Sequence, residues 1–331
     1  MPQGEIMVPN QGLINILSVA NKLHPNSKIE VTVDDTRERG YHLRCRTFMM
    51  EEVLIGALVA TRDYFEDTKY IESAHPTVEL WLSTMRTLPN LKHVGKDDLE
   101  GGLAKRLSNA INKRLADFVK AYFGKEHTKS LNNVKSVITR NITSTRKYLR
   151  GLFVKYDRLR FIRVDVWHNG LGNDTTIEDV IRDRGVYINV ASLEFGTIIG
   201  YLWRMDLTRD FKYRHQFVFV LTDNEPLEDI EIGNTLCSVW ECVVMRDGGW
   251  INLANRPTGL DNSWVLGDYR SVGHDEIAKQ TALITMILKD AGSDENLLAV
   301  LPRRPHIFGR GKRPSLKRML LDNIRLAMAK K

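Results

Sequence analysis

The stretch Leu159-Arg160-Phe161-Ile162-Arg163-Val164-Asp165-Val166-Trp167 decides the reading of the C-terminal half. It is a short, mostly apolar run of strand length, and polar connections bound it. Thr197 to Asp206 and His215 to Leu221 repeat the pattern. Between them lie connections such as Asn169–Asp174 and Thr222–Glu225. Short alternating runs with such punctuation predict strands of a largely antiparallel sheet. Asp165 falls inside an apolar strand, where a carboxylate needs a partner. Ile177 to Ser192 reads as helix or mixed structure. Ile277 to Leu288, after Asp275–Glu276, reads as a helix.

Upstream the periodicity is helical. Leu103, Leu107, Ile111, Leu115, Phe118 and Tyr122 recur at spacings of three and four, with Lys105, Arg106, Lys113 and Arg114 on other faces. Leu131 to Leu152 predicts a second basic helix. Before Gly101–Gly102, residues 1–95 read as a small mixed unit. It holds a hairpin from Ile29–Asp34 and Tyr41–Phe48 around the polar segment Asp35–Gly40, and a helix over Glu51–Phe65. After Pro302 comes a basic loop with Pro305, Gly309, Gly311 and Pro314. A final helix over Leu316–Met328 follows. The expected divisions are thus 1–95, a basic helical segment 103–152, a sheet domain 153–315, and a basic terminal helix 316–331. The fold class is α+β, a central antiparallel sheet flanked by helices and preceded by a mostly helical N-terminal region.

The 331 residues are 43% hydrophobic and 27% charged, a globular composition. No apolar run approaches the ~20 residues that cross a bilayer, so no membrane is expected. Met1 to Asn10 lacks a basic flank followed by an apolar block, so no leader is expected. Cys45, Cys237 and Cys242 are sparse and odd in number, which fits a reducing, cytoplasmic setting. Charge is more informative than composition. Leu103 to Arg163 holds 16 Lys or Arg against 3 acids, and Arg303 to Lys331 holds 10 against 1. The net charge is +7, so the rest of the chain carries −15. Two basic blocks on an acidic chain point to a polyanion, and to nucleic acid before a membrane surface.

Searches for familiar chemistry return little. Gly309-Arg310-Gly311-Lys312 lacks the spacing and following Ser or Thr of a Walker loop; it reads as a basic, phosphate-touching loop. Cys237 and Cys242 have no second Cys or His pair for zinc. No His-Glu-x-x-His and no Gly-x-Ser-x-Gly occurs.

One resemblance goes further. Tyr148-Leu149-Arg150-Gly151-Leu152-Phe153, running on through Leu159 to Val166, resembles the opening of the YagK/YfjJ C-terminal family. These are inovirus-type replication proteins of prophages, phage satellites and integrated elements. The likeness continues through Ile199-Gly200-Tyr201-Leu202-Trp203-Arg204-Met205-Asp206 and Tyr213-Arg214-His215-Gln216-Phe217-Val218-Phe219-Val220-Leu221. It takes in Ile232-Gly233, Trp240, Gly248-Gly249-Trp250-Ile251-Asn252, Met286-Ile287-Leu288-Lys289-Asp290, and Arg303 to Gly311. It covers about 160 residues. The family is similar to HUH rolling-circle replication initiators. The implied chemistry is single-strand DNA cleavage. A His-x-His strand and an acid hold a divalent metal, and a helical Tyr with a Lys on the same helix makes the attack.

Carried over, the acid is Asp206 and the first His is His215. The second His falls on Phe217, which cannot ligate a metal, and the Tyr falls on Met286, which cannot attack phosphate. Lys289 is retained. No Tyr follows Tyr269. The resemblance therefore implies a catalytically degenerate initiator that binds DNA, single-stranded or hairpin, for a mobile element. It would act in origin or operator recognition or in regulation. No catalytic residue and no cofactor are required. Its DNA contacts are expected at Arg146, Lys147, Arg150 and Lys155 before the sheet, and at Arg310, Lys312 and Arg313 after it. Two alternatives stay open. One is an active nickase in which Asp206 and His215 bind Mg²⁺ or Mn²⁺, with Tyr269 or water as nucleophile. The other is a protein-interaction module or inhibitor using the fold as a scaffold. Residues 1–95 carry no motif, and a homodimer or protein partner through them is compatible with either.

Overall fold

The computed structural model describes residues 9–24, 29–36, 40–45, 50–67, 75–96, 99–168, 177–208, 212–224, 226–243, 251–253, 271–289, 298 and 307–311. Contacts divide the chain into two units, 1–136 with 294–305 and 137–293 with 306–331.

Unit 1 contains α1 (Pro9–Asn21), the hairpin β1 (Val31–Thr36) and β2 (Gly40–Cys45), α2 (Glu51–Asp67), α3 (Pro76–Met85), a 3-10 turn at Leu91–His93, and α4 (Gly101–Tyr122). Helix α5 (Lys125–Lys155) starts in this unit. The hairpin is antiparallel, with its strands reaching Thr36 and resuming at Gly40, so the connection is shorter than the polar segment suggests. Gly101 and Gly102 open α4 instead of breaking the chain. The apolar stripe of α4 (Ala104, Leu107, Ile111, Leu115, Phe118) sits in the same core as Ile16, Leu54, Leu58, Trp81 and Leu82. This shared burial puts α4 with the N-terminal helices, where the sequence reading sets residues 103–152 apart. The polar side of α4 also serves the hairpin. Val31 N–H donates to Asn112 Oδ1 at 2.7 Å, and Asn112 Nδ2 and Ser108 Oγ donate back to Val31 O at 2.9 and 2.6 Å. Side chains of α4 thereby satisfy a strand end that the hairpin alone leaves unpaired.

Unit 2 is a helix-flanked antiparallel sheet, with β3 (Arg158–Trp167), α6 (Ile177–Glu194), β4 (Ile198–Leu207), β5 (Tyr213–Thr222), α7 (Asp229–Val243), β6 (Ile251–Leu253), β7 (Ser271–Gly273), α8 (Ile277–Lys289) and β8 (Phe308–Arg310). The strand order is β6-β3-β5-β4-β8, with β7 also on β3, and every neighbouring pair is antiparallel. From β3 to β6 the chain runs β-α-β-β-α-β with spatial order fourth-first-third-second, a split βαβ arrangement. The three long strands match the three predicted apolar runs. Helix α7 and strands β6, β7 and β8 have no counterpart in the sequence reading; β8 arises where a basic loop is expected. The expected helix over Leu316–Met328 lies outside the described residues. No described helix is long and apolar enough to cross a membrane.

Register fixes which side chains share a face, because directly opposed residues of antiparallel strands point the same way. One face carries His215, Phe217 and Phe219 with Val164, Val166, Trp203 and Met205. Helices α6 and α7 cover it: Tyr187 meets Phe217 at 4.8 Å and Trp240 at 5.2 Å, and its hydroxyl donates to Leu236 O. The other face carries Leu159, Phe161, Leu202, Val218 and Val220. These join Tyr148, Leu149, Leu152 and Phe153 of α5 and Leu283, Ile284, Ile287 and Leu288 of α8 in one core.

Candidate nucleic-acid interface

The acid and histidine expected to hold a metal do not meet. Asp206 opposes Arg214 and His215 opposes Met205, so the two lie on opposite faces of the sheet. Asp206 is also fully engaged. Arg214 Nε and Nη2 each donate to it at 2.8 Å in a fork, and Arg204 Nη2 donates at 3.1 Å. A carboxylate held by two guanidiniums does not suit a divalent cation. His215 is completely buried. Its Nε2–H donates to Val180 O at 3.3 Å. Its Nδ1 has no hydrogen-bond partner among the described residues. Burial, reinforced by His168 and Arg184, drives its pKa well below the ordinary histidine value. The residues present therefore do not fit Mg²⁺ or Mn²⁺.

Phe217 is buried beneath α6 and α7, and Met286 packs half-buried against the core of the other face. A histidine at position 217 would still point away from α8. Lys289 ends α8, and its side chain lies outside the described residues, as do Tyr269, Lys312 and Arg313.

What the structure does assemble is a polar network on the α5–α8 side. Arg163, Asp165, Arg204, Asp206, Arg214 and Gln216 form three pairs spaced i, i+2 on three adjacent strands. Arg163 is fully buried and forks Asp165 at 2.8 and 2.6 Å, and Gln216 reaches Asp165 at 3.5 Å. The partner that Asp165 requires is thus Arg163, two residues away. The repeated spacing Arg-x-Asp, Arg-x-Asp, Arg-x-Gln was the signal available in the sequence.

Among the expected DNA contacts, Arg146, Lys147 and Arg150 are exposed on α5, opposite the buried Tyr148, Leu149, Leu152 and Phe153. Lys155 instead donates to Tyr156 Oη at 2.8 Å and sits over that ring at 4.7 Å. Arg310 is half-buried over Tyr148 at 5.3 Å. The glycines beside it are required by packing: Gly309 lies directly against the Trp203 indole, and a Cβ on Gly311 would meet Tyr148 Oη at 2.8 Å. Gly311 N–H also donates to Tyr201 O at 2.9 Å. Of the stretch read as a phosphate-touching loop, Gly309 and Arg310 belong to strand β8.

Among the described elements, helix α5 is the most cationic. It holds eight Lys or Arg and one acid, Glu126. In unit 1, Lys125, Lys129 and Lys135 are exposed with Asn132, Asn133 and Ser136. In unit 2, Arg140, Arg146, Lys147 and Arg150 are exposed with Thr139 and Thr143. Its first turn is anchored by His127, which is buried, stacks on Tyr122 at 5.0 Å, and meets Thr77 Oγ1 at 3.3 Å. Thr77 N–H donates to the N-capping His75 Nδ1 at 3.2 Å. Burial, with His127 alongside, lowers the His75 pKa to about 4, so both rings are neutral here at pH 7. Comparisons with protein families, curated proteins and solved structures return no match to this chain.

Proposed function

We propose that this is a DNA-binding protein of a mobile genetic element, built on a replication-initiator scaffold that no longer cuts DNA. The observation carrying the reading is α5: a long helix with an exposed surface of Lys, Arg, Asn, Ser and Thr and a single acid. These side chains serve phosphate and base-edge contacts. The split βαβ sheet is compatible with the initiator resemblance. The lost catalysis rests on Phe217 and Met286, and on the separation of Asp206 from His215.

The test is binding of the full chain to labelled DNA across a salt series. Affinity should fall steeply with salt, and R146A/K147A/R150A should lower it while flattening the log–log slope by about 0.9 per phosphate contact removed. Flat salt dependence, or a triple variant that binds like the parent, would reject the reading.

A second reading, a protein-interaction module, is favoured by one observation. Val186, Val190 and Leu193 form an exposed apolar stripe on α6 at i, i+4 and i+7, with Leu193 84% exposed. Its signature would be concentration-dependent self-association abolished by Leu193→Glu.

A further inference from the structure

We propose that the elbow between α4 and α5 is a subsite for one unstacked nucleotide of a single strand. The inference rests on the DNA-binding reading and narrows it. The elbow is a shallow depression lined by Phe123, Lys125, Thr128, Lys129, Asn132 and Asn133. Its chemistry is that of a nucleotide. Phe123 is a large aromatic left 41% exposed. Lys125 and Lys129 supply two ammonium groups, and Asn132 and Asn133 two carboxamides. None of these four polar side chains has a hydrogen bond or ion pair with a described residue. Thr128 is committed, its hydroxyl donating to Gly124 O at 3.1 Å. On a 3.6-residue helix, positions 125, 128, 129, 132 and 133 share one side.

The ring is held in place and not merely exposed. Phe123 packs edge-on against Tyr122 at 5.0 Å and 85°, and Tyr122 rests on Phe118 and His127. The turn is two residues long. Gly124 N–H donates to Ala121 O at 2.9 Å, and a Cβ on Gly124 would stand 2.9 Å from that same oxygen. A ring fixed before binding loses little freedom on binding. A base stacks on Phe123, the amides of Asn132 and Asn133 meet its edge, and the lysines take the flanking phosphates. Duplex DNA keeps its bases stacked and offers no face to the ring, so the occupant is a single strand or an extruded base.

The test uses the full chain and a 12-nucleotide single strand carrying one 2-aminopurine, with the matching duplex as reference. The 2-aminopurine emission should rise on binding as the base leaves its neighbours' stack. Phe123→Ala should weaken single-strand binding about tenfold and remove the rise. Phe123→Trp should keep the affinity and turn the rise into a drop, because indole quenches the base, and duplex binding should change little. A Phe123→Ala protein that binds and brightens the base like the parent overturns the subsite. A parent that binds duplex but not the single strand overturns the subsite and leaves the DNA reading standing. A parent that binds neither overturns both.

Discussion

The two faces of the β3–β5–β4 sheet are built from alternate residues of the same strands, yet they differ in kind. One face at the Asp206 end is an arginine–aspartate network; the other, a residue out of step, is a histidine–aromatic cluster of His215, His168, Trp203, Phe217 and Trp240. Charge is satisfied on the first by forked ion pairs. On the second, burial keeps the histidine rings neutral, with Arg184 and Asp183 of α6 at its rim. The contrast shows how much a one-residue offset in a strand matters: motif carry-over by sequence spacing puts Asp206 and His215 together, and the pleat separates them.

The largest expected effect breaks the charged face. Asp165→Ala leaves Arg163 buried without its forked partner and should cost about 3–5 kcal/mol in urea unfolding. Replacing both by apolar residues of similar size should recover most of it. Full stability of Asp165→Ala would show that the network is not a unit.

Next, Phe217→His restores the ligand that the resemblance lacks, but on the aromatic face. It should cost about 2–3 kcal/mol, since an imidazole replaces a ring packed on Tyr187 and Phe219. Mn²⁺ should not raise its melting temperature. A metal-dependent rise would overturn the assignment of faces.

Acid should distinguish the faces further. His215 and His168 have lowered pKa values, chiefly from burial. Arg184, stacked 3.7 Å over Trp203, opposes protonation of His215; Asp183, 3.4 Å from His168, favours protonation of His168 but does not outweigh burial. A folded-state pKa below the unfolded value of about 6.5 means the unfolded chain binds more protons in that window. The contribution is complete above pH 6.5 and is lost as pH falls toward the folded value. His75 in unit 1 sets a scale: with a folded value of about 4, it alone should cost about 2 kcal/mol by pH 5. His75→Asn, which keeps an N-cap acceptor, should flatten part of the pH dependence of unfolding, and His215→Gln another part. Unchanged profiles would mean that these rings titrate in the fold as they do in the unfolded chain.

The smallest effect is at the rim of the charged face. Arg204→Lys, at a partly exposed position with one 3.1 Å contact to Asp206, should cost less than about 1 kcal/mol. A larger loss would mean that Arg204 orders the Asp206–Arg214 fork.

Much of this architecture was legible from periodicity. The three long strands, the hairpin, α2, α4, α5 and α8 all follow from apolar spacing. Helix α3 did not, because Pro76 reads as punctuation, whereas proline at the first helical position costs nothing. The sequence reading sets no helix over α1, although Leu13, Ile16, Leu17 and Ala20 carry the pattern, nor over α7, whose acidic first turn resembles a loop. Strand β8 was illegible: its three residues are strand only because β4 supplies their hydrogen bonds. In the candidate interface, the exposed Arg146, Lys147 and Arg150 were readable from charge. The engagement of Lys155 and Arg310 was not, since the aromatic rings that hold them come from neighbours no motif names. The elbow at Phe123 is not legible in the sequence, where an exposed phenylalanine is indistinguishable from the last residue of an apolar stripe.

Strand β8 has a practical consequence. Among the described residues, Phe308–Arg310, with Ile307 O accepting from Met205 N–H and Gly311 N–H donating to Tyr201 O, cover the outer edge of β4 around Trp203. A chain shortened before residue 307 would present that edge bare, with a large indole beside unpaired backbone groups, and such edges recruit strands from other molecules. Truncated versions made for biochemistry should therefore keep residues through Gly311, or they will report the stickiness of an open sheet as if it were a property of the native protein.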